Sequence, residues 1–557
     1  MKQIYQFFKV YYDGLRSKVI GYVISSIMHK ALLLVIPYTT KMIIDNIQFK
    51  NLNGFIRWCV IDVLLLFVFQ VVLSTMYYLR NYIEIDVIKR MRKDIFNRIM
   101  YMDYTIVKEK NIGYYIQRIF DDCEQVRSLI IRVYVDVFLD IGFVIGILII
   151  MFRLNPIVSI SVLILIPIFL IISKFYIPHI ERANKDIIEE NENLKTLTEE
   201  LVNGSKDIRV NNGYRYAFSK LMNTLDKYTQ YGLRNIKYEI KYNFVFITGI
   251  MNLTNLFIYI IGGYLAIKGY ITLGTLTGFT IYFSRLWTPI ESFMELPKDI
   301  KVKKISLNRL KEILYKEDNN QDILKDIPEY KSMEFKNLSI SYEEREILKN
   351  VNFKINKGDR IAIRGANGSG KSTVANLFVK LIGDYSGEIY YNDINYRKID
   401  PNEIRKRIIL IPSDVFIFNG SIRENIVLDK EIGDINRYFK EHNLLKLFED
   451  NERDLDTIIT NNGQELSGGE KKIVQILRGV LQDGDVYILD EPLNYVDKEY
   501  KEMLVEFIDT ILEDKTIIVI SHDELAFSCC NEIYNLENQD LKLEEQNGIK
   551  SKDIVLE

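Results

Sequence analysis

Residues 365–373, Gly-Ala-Asn-Gly-Ser-Gly-Lys-Ser-Thr, fit the phosphate-cradling spacing G-x-x-x-x-G-K-[ST], with Gly365, Gly370, Lys371 and Ser372 in the fixed places. The apolar run 360–364 before the loop reads as a strand and 374–380 after it as a helix, which is the context such a loop requires. Glycines let backbone N–H groups turn toward an anion, and the helix N-terminus adds partial positive charge. Asn367, Gly368, Ser369 and Thr373 complete the cradle. Lys371 is placed to reach the β- and γ-phosphates, and Ser372 to ligate Mg²⁺. The expected ligand is a nucleoside triphosphate.

Two further apolar stretches end in groups that suit phosphate chemistry. Val486 to Asp490 is an apolar strand closed by Asp490 and Glu491. Asp490 at the tip would hold Mg²⁺ through water, and Glu491 would orient or deprotonate the attacking water. The run 515–520 is followed by Ser521 and His522. A lone histidine at a strand end is usually structural. This one is the third strand-end group in a single parallel sheet, whose C-terminal edge is where α/β sheets bind ligands, so a γ-phosphate contact is expected. Tyr342, upstream of the loop, is explained by packing or by stacking on a base; beside the other groups, stacking is the expectation. Ser467-Gly468-Gly469 opens a helical pattern and forms a second anion site. One nucleotide does not need two such sites in one chain. Two chains arranged head to tail do, each Ser467–Gly469 turn closing over the other chain's triphosphate.

These groups occupy only the second part of a 557-residue chain with net charge −3. No basic field points to nucleic acid. Cys59, Cys123, Cys529 and Cys530 are too few and scattered for a disulfide framework or a zinc site, and read as packing thiols. Residues 3–14 form a short amphipathic stretch suited to a membrane surface. No cleavable signal is expected at the N-terminus. Six apolar segments of about membrane-spanning length follow, at about 19–43, 56–78, 134–152, 156–176, 244–267 and 272–291. Asp136 and Asp140 in the third and Arg285 in the sixth are costly in lipid, and should face a bundle interior, an aqueous cavity or the water boundary. The two aspartates, four apart, share a helical face. A substrate contact and a position near the boundary both fit them.

The gaps after the second and fourth segments run about 55 and 65 residues, are charged and helix-patterned, and the first is rich in Lys and Arg. That asymmetry places both long gaps and both termini in the cytoplasm, as helices that continue beyond the membrane and return. Breaks at 111–113, 203–204 and 211–213 mark turns or tips. Glu295-Leu-Pro297 is expected to end the last span, with a further helix to about Tyr315 and a polar linker beyond. The resulting division is a membrane domain over 1–325 and a nucleotide-binding domain over 332–557.

Taken together, the chain resembles an ABC transporter of the exporter type, one membrane domain fused ahead of one ATP-binding domain, over essentially its whole length. The resemblance implies a multidomain fold: an all-α six-helix transmembrane domain, then an α/β P-loop ATPase domain with a helical signature subdomain. It implies that 365–373 is the Walker A motif, 466–470 the signature and 486–490 the Walker B segment. Glu491 would be the catalytic glutamate, His522 the switch histidine and Tyr342 the adenine-stacking aromatic. Asn494 to Asp497 would be the D-loop, and 104–113 and 208–216 would hold the coupling helices. Lys41 and Asp45 resemble the family's ending of the first helix.

Three positions depart from the family pattern. Ser413 stands where the Q-loop glutamine is usual, and serine would reach Mg²⁺ only through a bridging water. Glu470 ends the signature in place of glutamine, followed by Lys471-Lys472. Asn461 lies where a glutamate is often found. The expected function is ATP-driven export across the cytoplasmic membrane by alternating access. The partners would be a second half-transporter, membrane lipid and a small-molecule or peptide substrate, with no nucleic acid. A homodimer is favoured and a heterodimer with an unequal partner stays open. Peptides, lipids and amphipathic drugs all fit a lining rich in Tyr, Phe and Ile. An N-terminal peptidase domain is not expected. The alternatives are an ATP-binding membrane regulator, the weak-ATPase half of a heterodimer, an importer or a soluble ABC ATPase. Six fused spans oppose the last.

Overall fold

The structure is a computed structural model that describes residues 7–129, 131–163, 165–315, 323–342, 345–366, 368–428 and 454–546. The chain forms two compact units, Met1–Asn97 with Ile116–Leu314, and Arg98–Tyr115 with Tyr315–Glu557.

The described residues of the first unit form helices joined by turns. Among the described residues, four helical stretches are long and apolar enough to cross a membrane by length and composition: Arg16–Gln48, Leu52–Tyr101, Ile112–Leu154 and Tyr214–Ile267. Leu52–Tyr101 holds 50 residues. It is therefore about 75 Å long, far more than the roughly 30 Å of a hydrocarbon core. The expected segment 156–176 falls on the helices Pro156–Leu163 and Leu165–Asn203. The segment 272–291 opens the helix Leu273–Leu314. That helix runs through both Pro289 and Pro297, so the break expected at 295–297 is absent. Proline removes one N–H and kinks a helix, but neighbouring side chains can hold the two parts in line. Here Phe279, Tyr282, Phe283 and Leu286, at helical spacing, pack against Phe143, Ile147 and Met151. Wide turns of the π type interrupt the membrane helices at Ile131–Asp136, Lys241–Ile247 and Ile258–Gly262.

The charges of the third apolar segment are paired within the bundle. The Tyr22 hydroxyl donates to Asp136 at 2.6 Å, and Arg80 donates to its other oxygen at 3.1 Å. Lys30 meets Asp140 at 2.6 Å. Such pairing is the usual condition for ionised groups in an apolar setting. Lys41 and Asp45 form an ion pair at 2.7 Å, and Asp45 accepts the backbone N–H of Gly274 at 3.0 Å. A Cβ on Gly274 would run into the Lys41 carbonyl and the Asp45 carboxylate. Gly274→Ala is therefore expected to lower stability by about 1–3 kcal/mol, as overpacking does, read as a drop in the detergent-solubilised melting temperature.

In the second unit, six strands form one sheet in the order Asp540–Gln546, Glu532–Glu537, Arg360–Arg364, Thr516–Ile520, Val486–Asp490, Ile408–Ile411. Every pairing is parallel except that of the first two. Alternation along the central strands sorts side chains to opposite faces, as a two-residue repeat demands. Ile488, Ile518 and Ile520 enter one core, while Tyr487, Leu489, Ile517 and Val519 enter the other. A four-stranded antiparallel sheet, Arg345–Asn356, Ser332–Tyr342, Ser386–Tyr391, Ile394–Asn395, covers the first of these cores.

Two boundaries differ from the sequence reading. Leu324 already bridges to Ile399, and Ile327 and Tyr330 are buried in the core of the second unit, so that fold begins before residue 332. The short helix Tyr104–Lys108, with its flanks from Arg98 to Tyr115, groups with the second unit by contact. Its start is capped by Asp103, which accepts the Thr105 N–H.

Candidate functional site

The strand Arg360–Arg364 leads through the glycine loop into the helix Lys371–Phe378. Gly370, the helix N-cap, has φ of 106°, and a Cβ there would lie 2.7 Å from Ile347. Only glycine fits that turn without strain. Lys371 is buried at 8% exposure and donates to the carbonyls of Gly365 and Ala366 at 2.8 and 3.1 Å. Its ammonium therefore sits inside the loop. The Ser369 hydroxyl is buried with no protein partner among the described residues, a donor available to a bound anion.

Parallel pairing carries the ends of three strands to this loop. Ser372 Oγ donates to Asp490 Oδ2 at 3.1 Å. The Glu491 carboxylate accepts from Ser521 Oγ at 3.2 Å and lies 2.9 Å from His522 Nδ1. Glu491 itself has φ of 48°, a left-handed conformation that costs a non-glycine residue strain and that the N–H bond to Ile520 O at 2.7 Å helps fix. A cavity of about 400 Å³ is lined by Lys371, Ser372, Thr373, Ser413, Asp490 and Glu491, together with Gly368, Gly370, Ile347, Asn494 and His522. Ser521 and Ile347 were not singled out in the sequence, since neither belongs to a spacing pattern.

Burial pushes the Asp490 carboxyl above its ordinary range, and Glu491 beside it adds to the rise, against the Ser372 hydroxyl and the Lys472 ammonium. A cation at this point would offset that cost. Oxygen donors alone, a hydroxyl and one carboxylate facing a phosphate cradle, are the protein ligands that suit Mg²⁺ in nucleotide sites. The residues present fit the ion.

The helix Gly468–Val480 begins at Ser467 with a reciprocal cap: Ser467 Oγ accepts the Glu470 N–H at 3.2 Å, and Glu470 accepts the Ser467 N–H at 2.7 Å. Glu470 thus has a local structural partner that explains an acidic residue there. Ser467 and Gly468 are exposed, and no residue of 466–470 is among the described residues lining the phosphate cavity. A second cavity, about 620 Å³, shares Ser372, Ser413 and Asp490 with the first and is also lined by Tyr104 and Lys108. Ser413 therefore stands between the phosphate site and the helix Tyr104–Lys108. Asn367 and the side chain of Tyr342 lie outside the described residues.

Because serine falls short of where a glutamine amide would reach, Ser413→Gln is expected to raise the hydrolysis rate modestly, about two- to fivefold. Steady-state phosphate release measures it; a loss of rate would show a site adapted to serine.

A phosphate cradle facing strand-end carboxylates, in a chain that also carries a helical membrane unit, defines an ATP-powered membrane transporter. The family of the ABC transporter transmembrane region matches residues 19–290, and the family described as ABC transporter matches residues 348–494. The chain belongs to the ABC transporter family, as a half-transporter of the exporter type with both domains in one polypeptide. It is an integral membrane protein that binds ATP and couples its hydrolysis to transport. An ATP-dependent lipid A-core flippase of Pectobacterium atrosepticum is 25% identical over 83% of this chain and 80% of its own length. The transport/processing ATP-binding protein ComA of Streptococcus pneumoniae is 24% identical over 91% of this chain and 71% of its own. A bacterial Atm1-family ABC exporter solved with ATP bound shares the fold, with a TM-score of 0.80 at 16% identity over 95% of this chain and 94% of that one.

Proposed function

We propose that two copies of this chain act together as an alternating-access exporter, each copy's phosphate loop being completed by Ser467–Gly469 of the other. The observation that carries this reading is the half-built site. One chain gathers Lys371, Ser372, Asp490, Glu491 and His522 around a cavity, while its second anion turn lies exposed and away from that cavity. In the assembled site Lys371 and the loop N–H groups hold the phosphates, and Ser372 and Asp490 would hold Mg²⁺, which when bound would supply charge neutralisation to the triphosphate. Glu491 takes the proton of the attacking water, oriented by Ser521 and His522. Tyr342 stacks on the base. The termini and the long helical hairpins face the cytoplasm, in keeping with their Lys and Arg content.

The test pairs a cysteine at Ser369 with one at Ser467 in the Glu491→Gln background. ATP should bring the two into a disulfide between chains; cross-linking that ignores ATP would overturn the composite site. The transported class is a peptide, a lipid or an amphipathic drug. It is assigned by which of the three raises ATPase turnover in nanodiscs.

A further inference from the structure

Lys472 is fully buried, with 0% exposure, on the helix Gly468–Val480. A buried ammonium demands compensation. Its three N–H donors find three carbonyls: Pro412 at 3.0 Å, Ser413 at 3.4 Å and Asp490 at 3.2 Å. One belongs to the strand whose carboxylate faces Ser372, and the other two belong to the loop that carries Ser413. One helical turn further on, Gln475 donates to the carbonyl of Asp414 at 2.7 Å. A single helix face thus grips residues 412–414 with two side chains. Burial pushes the Lys472 ammonium down to about 8, opposed by Asp490, Glu491 and Asp414.

We propose that Lys472 is a positioning residue for ATP hydrolysis, tying the backbone of the Ser413 loop to the backbone at the end of the Asp490 strand. By holding that loop backbone it sets where the side chain of residue 413 stands relative to Asp490. The inference rests on Ser413 and Asp490 facing the nucleotide. Lys472 is not among the residues lining the phosphate cavity; it acts through the two segments it joins.

The test uses the full chain in nanodiscs, as wild type, Lys472→Met, Ser413→Gln, the double variant and Asp490→Asn. In Lys472→Met, kcat should fall about tenfold or more while KM for ATP stays within about threefold. Without nucleotide, amides of 410–416 should exchange at least about tenfold faster while those of the strand Val486–Asp490 stay protected. Ser413→Gln should recover most of the lost kcat in the double variant, a rescue that a purely structural lysine would not show. Turnover within twofold of wild type in Lys472→Met, or a Ser413→Gln gain in the Lys472→Met background no larger than its gain in wild type, overturns the proposal. Should Lys472→Met lower the folded yield, Lys472→Gln carries the same comparison. Asp490→Asn at full rate would instead sink the nucleotide-site reading itself, whatever Lys472 does.

Discussion

Glu491→Gln is expected to lower kcat by about 10²- to 10⁴-fold, the range of a lost general base, while leaving ATP affinity within about threefold. The amide keeps the shape of the carboxylate and loses its basicity. The site is arranged so that this one group matters: its carboxylate is held by Ser521 Oγ at 3.2 Å and His522 Nδ1 at 2.9 Å, on a backbone in a left-handed conformation. With hydrolysis blocked and binding intact, ATP should hold two chains together, visible as a slower-sedimenting fraction converting to a stable dimer in its presence. Turnover within about tenfold of wild type would remove Glu491 as the proton acceptor.

Asp136→Ala is expected to give the largest loss of stability, about 3–5 kcal/mol, as removal of one partner of a buried ion pair does. Its side chain is 12% exposed and accepts from both Tyr22 and Arg80. Arg80 also meets Glu84 at 3.0 Å, and Arg127 lies 3.3 Å from that same carboxylate. Truncation would strand the Tyr22 hydroxyl and leave Arg80 to Glu84 alone. The melting temperature in detergent should drop on the order of 10 °C. Asp136→Asn, which keeps an acceptor, should lose less. An unchanged melting temperature with lost substrate-stimulated turnover would instead assign Asp136 to substrate contact, the other reading its sequence position allowed.

Much of the chemistry was legible because it is local. A phosphate loop needs glycines at fixed places, and an apolar strand ending in Asp490-Glu491 announces itself within seven residues. The apolar segments are likewise local statistics. The partners of Asp136 were not legible, since Tyr22 and Arg80 lie far away in the chain and only the helix bundle joins them. The expected break at Pro297 failed for a related reason. Local propensity marks proline as a stop, but the helix is held on both sides of Pro297, by the packed stripe from Phe279 to Leu286 before it and by Lys303 and Ser306 bonding to Ser128 and Gln125 after it. The grouping of Arg98–Tyr115 with the ATPase unit also depends on contacts that no periodicity records.

By itself the sequence determined the fuel, the spacing of a phosphate-cradling loop, and the presence of a membrane part ahead of an ATPase part. Each is written in short spacings governed by backbone geometry and solvent preference. Only the tertiary structure decided which groups face one another: Ser372 with Asp490, Glu491 with Ser521 and His522, and Lys472 beneath Ser413. Those pairings come from strand order in a parallel sheet and from the need of each buried charge for an acceptor. Both are properties of the packed chain rather than of any stretch of it.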